Sequence, residues 1–159
     1  MLKNINRLVE FIIFLSLVVI VALYSLRSLD RYFGISFINS SGYPEIVSLA
    51  SIWVYFLGMA VATRYSQHIA GGIDAFINHE KISRMIQILS LTVLLIFSLV
   101  SLYYWALLAI QAHTRGTTSL LLGIPNYVKL LGVNLGFLLS AIYAAIALIN
   151  SIKIKNKET

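Results

Sequence analysis

Four long stretches with almost no charge fill most of this 159-residue chain, and they fix the solvent in which it can fold. Leu8 to Leu26 is interrupted by Glu10 alone, while Ile46 to Thr63, Met85 to Ala112 and Leu130 to Ile152 contain no Asp, Glu, Lys or Arg. A helix of roughly 20 apolar residues crosses a hydrocarbon core about 30 Å thick, so each stretch can cross once. The chain is 59% hydrophobic and 11% charged, whereas about a quarter of the residues of a soluble domain are charged. In lipid the backbone must satisfy its own hydrogen bonds, which leaves helices or closed barrels, and unbroken apolar runs without alternation exclude the barrel.

The chain is therefore read as all-α, an integral membrane four-transmembrane-helix bundle forming a single membrane domain over residues 1–159. The spans fall at approximately 8–26, 46–64, 86–108 and 128–150, with an interfacial segment at 67–80 and a basic tail at 151–159. With the N-terminus inside, the inner segments hold Lys3, Arg7, Arg64, Lys81, Arg84, Lys153, Lys155 and Lys157. The outer loops hold only Arg27, Arg31, Arg115 and Lys129. Eight basic residues against four place both termini in the cytoplasm. The net charge of +6 is scattered over loop ends without a basic stripe or aromatic interleaving, which argues against nucleic acid as a partner. Lys3 and Arg7 ahead of an apolar run resemble a signal peptide, but the run is long and lacks a small-x-small cleavage site, so it is expected to stay attached as the first span. Cysteine is absent, which removes disulfides and thiolate chemistry together.

Loop residues carry the remaining local signals. Pro44 fits the first turn of the second helix, and Glu45 beside it suits the positive end of the helix dipole. Between the second and third spans, Ile69, Ile73, Phe76 and Ile77 recur at helical spacing, as in a short amphipathic helix lying on the membrane surface, although Gly71-Gly72 weakens it. The third stretch, 28 residues from Met85 to Ala112, would be about 42 Å long as a helix and must tilt or enter the headgroups. Pro125 is placed to initiate the last helix.

Catalytic and cofactor signals are sparse. His68 and His79 fall at the inner face and His113 at the outer face, so no two meet at mid-membrane to hold haem or a metal, and no cofactor is assigned to this chain. Nucleophile-elbow, zinc-protease and P-loop signatures are missing, and the chain reads as no enzyme. Glu10 is the only acid inside a span, where a proton-coupled exporter would need one. It lies three residues from Arg7, close enough for an ion pair on one helix turn, and the structural reading is preferred. The spans lack the broken helices from which transporters build substrate sites, so any substrate site is expected in another subunit.

One region carries a resemblance. Glu45, Trp53, Phe56-Leu57-Gly58, Ala60, Ala62, Arg64 and His68-Ile69, followed by an amphipathic segment with Asp74 and a Gly123-Ile124-Pro125 entry into the last helix, resemble the small membrane subunit of tripartite ATP-independent periplasmic (TRAP) transporters. Ser48 stands where many members have arginine, Gln67 where glycine commonly precedes the histidine, and Asp74 lies two residues beyond the usual acidic position. The resemblance implies an accessory subunit of the bacterial inner membrane that packs against a large multi-span membrane subunit as part of a stationary scaffold. The solute and sodium sites would lie in that partner, and a periplasmic substrate-binding protein would deliver an organic acid such as sialic acid or a C4-dicarboxylate. On this reading Glu45, Trp53, Gly58, Arg64, His68, Asp74, Gly123 and Pro125 form subunit or membrane interfaces. Arg27, Asp30, Arg31 and Arg115 are available for periplasmic docking, and membrane lipids surround the spans. The alternative is a self-sufficient exporter acting as a homo-oligomer through Glu10. Gly132, Gly136, Ser140 and Ala144 recur every four residues, a small-residue seam facing either another helix of this chain or a partner.

Overall fold

The computed structural model describes residues 2–34, 42–65 and 80–155. Four helices enclose the four apolar stretches: α1 (Leu2–Phe33), α2 (Tyr43–Arg64), α3 (Glu80–Thr114) and α4 (Asn126–Lys155). All four are long and apolar enough to cross a membrane. Each extends beyond the charge-free run it contains, because charged residues near the ends are compatible with helix and need only reach the headgroups or water. The expected interfacial helix at 67–80, with His68 and Asp74, lies outside the described residues apart from Glu80, where α3 begins.

Among the described residues the main contacts run in a row, in which α1 packs on α2, α2 on α4, and α4 on α3. Successive helices α2 and α3 are thus separated by α4. Of the two central helices α4 is the better covered: 44% of its most apolar stretch is buried, against 22% for α2, 6% for α1 and 11% for α3. Lipid is as apolar as leucine, so edge helices lose nothing by facing it, and only close packing or polar contacts select a protein neighbour.

The α2–α4 seam shows that selection at work. A Cβ on Gly132 would lie 3.1 Å from the Trp53 indole, and one on Gly136 would lie 2.6 Å from the carbonyl oxygen of Phe56. Ser140 and Ala144 continue the same face and are fully buried, as is Ala60 opposite. The small-residue seam therefore joins two helices of this chain. Phe137 extends the contact sideways, its ring 5.4 Å from that of Phe56 on α2 and 5.9 Å from that of Phe97 on α3. Asn134 fixes α3 by donating from Nδ2 to the carbonyl of Trp105, 3.3 Å away, and to Leu130 on its own helix, 2.9 Å away.

Candidate functional site

Polar contacts concentrate at the two ends of the row. At the end where α2 and α4 begin, the carboxylate of Glu45 receives three donors from the segment ahead of α4: the Ser119 hydroxyl at 2.6 Å, the Leu122 amide at 3.0 Å and the Leu121 amide at 3.2 Å. Ser119 Oγ in turn accepts from the Ile124 amide at 3.1 Å. The backbone closes the same turn, with Ser119 N–H to Ile124 O at 2.8 Å and Gly123 N–H to Ser119 O at 3.2 Å. Gly123 takes a left-handed φ of 65°, which a side chain would strain, and Pro125 pairs with Thr118 in an isolated antiparallel bridge immediately before α4. Glu45 therefore does more than face a helix dipole. It clasps residues 119–124 onto the start of α2, and Lys129 in the first turn of α4 adds a favourable charge.

Arg27 lies at the same level, its guanidinium carbon 4.8 Å from the centre of the Tyr43 ring, which Tyr24 also meets edge-on at 5.7 Å. Asp30 is half-buried and its carbonyl accepts from Gly34, whereas Arg31 and Arg115 are exposed. His113 stacks edge-on against Tyr127, bringing the end of α3 level with the start of α4.

At the opposite end, Arg64 at the close of α2 donates to Glu10 of α1 at 3.0 Å. Its guanidinium also lies 4.8 Å from the centre of the Tyr65 ring. Glu10 is thus paired with a residue 54 positions away and not with Arg7, because α2 ends beside the second and third turns of α1. Nearby, the Tyr143 hydroxyl of α4 donates to the Asn6 side chain, within electrostatic reach of both Arg64 and Glu10. These contacts tie α1, α2 and α4 together at one level.

The two polar levels are separated by a membrane's thickness. Glu10 and Arg27 are 17 residues apart on α1 and Glu45 and Arg64 are 19 apart on α2, which is about 26 and 28 Å of helix against a hydrocarbon core of about 30 Å. Between them the two candidate interface residues differ. Trp53 is pressed on Gly132 inside the chain, whereas a Cβ on Gly58 would meet nothing within 4 Å. Ser119, Tyr143 and Asn6 are contributors that the sequence reading missed; Asn134, an amide within an uncharged span, carried a readable signal.

Because the ion pair is partly exposed and near the membrane boundary, its coupling is expected to be modest. A double-mutant cycle of Glu10→Gln and Arg64→Gln, read by thermal unfolding in detergent, should give about 0.5–1 kcal/mol. The charge-swapped double variant should recover most of it. Strict additivity of the two single variants would mean that the pair does not exist in solution.

The architecture defines an integral membrane protein whose polar groups mostly hold its own helices in register. The family model for "Tripartite ATP-independent periplasmic transporters, DctQ component" matches residues 20–154, and the chain belongs to that family, as a small membrane component of a TRAP transporter. Comparison with the curated proteins found no significant match.

Proposed function

We propose that this chain is the accessory subunit that packs against the large multi-span TRAP membrane subunit and widens its stationary scaffold during sodium-coupled uptake of an organic acid, such as sialic acid or a C4-dicarboxylate. The observation that carries this reading is the family match over residues 20–154, joined to outer helices α1 and α3 whose apolar side chains are largely exposed among the described residues. Such helices on either side of an interlocked α2–α4 pair are suited to extending a neighbouring bundle. The solute and sodium sites are assigned to the large subunit, and this chain needs no cofactor of its own.

In the bacterial inner membrane with both termini in the cytoplasm, the end bearing Glu45 and the 115–125 segment faces the periplasm. Arg27, Asp30, Arg31 and Arg115 then lie on the side from which a substrate-binding protein docks. Gly58, open within the chain, is a candidate for contact with a helix of the large subunit, and His68 and Asp74 are assigned to the inner side of that interface. Glu10, held by Arg64, has a structural role here.

Reconstitution tests this directly. Vesicles containing both membrane subunits should accumulate solute when given the binding protein and a sodium gradient, and vesicles with either membrane subunit alone should not. Glu10→Gln should leave most of the uptake intact. Solute movement by this chain alone, abolished by Glu10→Gln, would replace the accessory reading with the exporter.

A further inference from the structure

Leu120, Leu121 and Leu122 form a consecutive apolar tip that is 99%, 55% and 41% exposed. In water such a tip is unfavourable, at about 25 cal/mol for each Å² of apolar surface left uncovered. We propose that this tip inserts into the headgroup–acyl boundary of the bilayer at the end of the row where α2 and α4 begin, making it a lipid-contact element.

Its backbone is prepared for a medium poor in water. The amides of Ser119, Leu121, Leu122, Gly123 and Ile124 all donate within the molecule, to Ile124 O, the Glu45 carboxylate, Ser119 O and Ser119 Oγ. A loop that entered lipid with these donors open would lose several kcal/mol for each. Here the clasp removes that penalty for these five amides, leaves the Leu120 amide at the headgroup level, and keeps leucine side chains outermost.

The depth is also right. Glu45 and Arg27 lie about 26–28 Å along the helices from Arg64 and Glu10, the thickness of a hydrocarbon core. Leu122 approaches Gly42, the residue just before α2, so the tip lies at this boundary level. Exposed Tyr24, Tyr32, Phe33, Tyr103 and Tyr104 also lie in the last turns of α1 or towards that end of α3, as aromatic residues do at an interface. The fixed charge there suits anionic headgroups: Arg27, Arg31 and Lys129 outnumber Asp30 and Glu45, and the Glu45 carboxylate is turned into the loop.

The chain has no cysteine, so Leu120→Cys gives a single attachment point for a spin label. The labelled protein is placed in vesicles of phosphatidylethanolamine and phosphatidylglycerol, and its collisions with oxygen, which favours lipid, and with a water-soluble nickel chelate are measured. Leu99→Cys on the exposed face of α3 and Arg115→Cys serve as lipid and water references. The oxygen-to-nickel ratio at position 120 is expected to lie well above the value at 115 and below the mid-membrane value at 99. A ratio equal to that at 115 would overturn the proposal and leave the tip for a water-borne partner. Shielding from both reagents would also overturn it, since protein would then cover the tip. Leu121→Cys, judged by the same outcomes, replaces Leu120→Cys if that variant does not purify as a monodisperse species.

Discussion

Gly136→Leu is expected to prise α2 from α4 and leave little folded protein. A Cβ at this position would already lie 2.6 Å from Phe56 Cβ, 2.6 Å from its carbonyl oxygen and 2.7 Å from its carbonyl carbon. A flexible side chain can rotate away from such a clash, at about 1–3 kcal/mol for added methylenes, but the backbone of a neighbouring helix cannot. The leucine adds three more carbons to the collision, so a loss above about 3 kcal/mol is expected, a large part of the 5–15 kcal/mol that holds a typical protein folded. Gly136→Ala should fall between wild type and leucine. Gly58→Ala, where nothing lies within 4 Å, should change stability by less than about 1 kcal/mol, with alanine's better helix propensity acting in its favour. Thermal unfolding and size-exclusion profiles in detergent read the series. Wild-type stability for Gly136→Leu would refute the α2–α4 seam.

Glu45→Ala is expected to release the segment between α3 and α4. It removes the common acceptor of the Ser119 hydroxyl and the Leu121 and Leu122 amides, and no other side chain in the described structure receives those two amides. Glu45→Gln keeps the shape but turns one of the two acceptor oxygens into a donor, so its effect should be smaller. Ser119→Ala removes one bond to Glu45 together with the acceptor for Ile124 and should also fall short of Glu45→Ala. Arg115 lies on the exposed flank of the segment, so limited trypsin digestion reports the change as faster cleavage after that residue. Equal cleavage rates in wild type and all three variants would show that Glu45 does not hold this loop.

The comparison of sequence with structure separates what hydropathy records from what packing decides. Charge placement exposes four membrane-length helices, because burying an unpaired charge in hydrocarbon is prohibitive and the apolar runs must end where charges begin. It says little about which faces meet, since a leucine facing lipid and a leucine facing a helix look alike in a chain. That is why the expected four-helix bundle left the order of its helices open, which the structure gives as α1, α2, α4, α3. The small-residue repeat from Gly132 to Ala144 was legible as a close-approach seam, but its partner, Trp53 and Phe56 on α2, was not.

Ion pairing shows the same limit. Arg7 is the nearest base to Glu10 in sequence, yet Arg64 reaches it because two antiparallel helices bring their far ends together. Glu45 was visible as an acid in the first turn of a helix, while its use as a clasp depends on a loop 74–77 residues away. Ser119 sits in a polar turn with no periodicity to mark it. Gly123 and Pro125 were visible through their special backbone chemistry, and the structure gives each a local task in the turn that leads into α4.

Co-purification is the most direct test of the accessory-subunit reading. Tagged protein is extracted from bacterial membranes in a mild detergent and the recovered proteins are identified by mass spectrometry. The account predicts a much larger membrane protein in near-equimolar amount, whose gene-matched solute then becomes the one to assay. A clean homodimer carrying no larger partner, recovered under conditions that keep other membrane complexes intact, would contradict it.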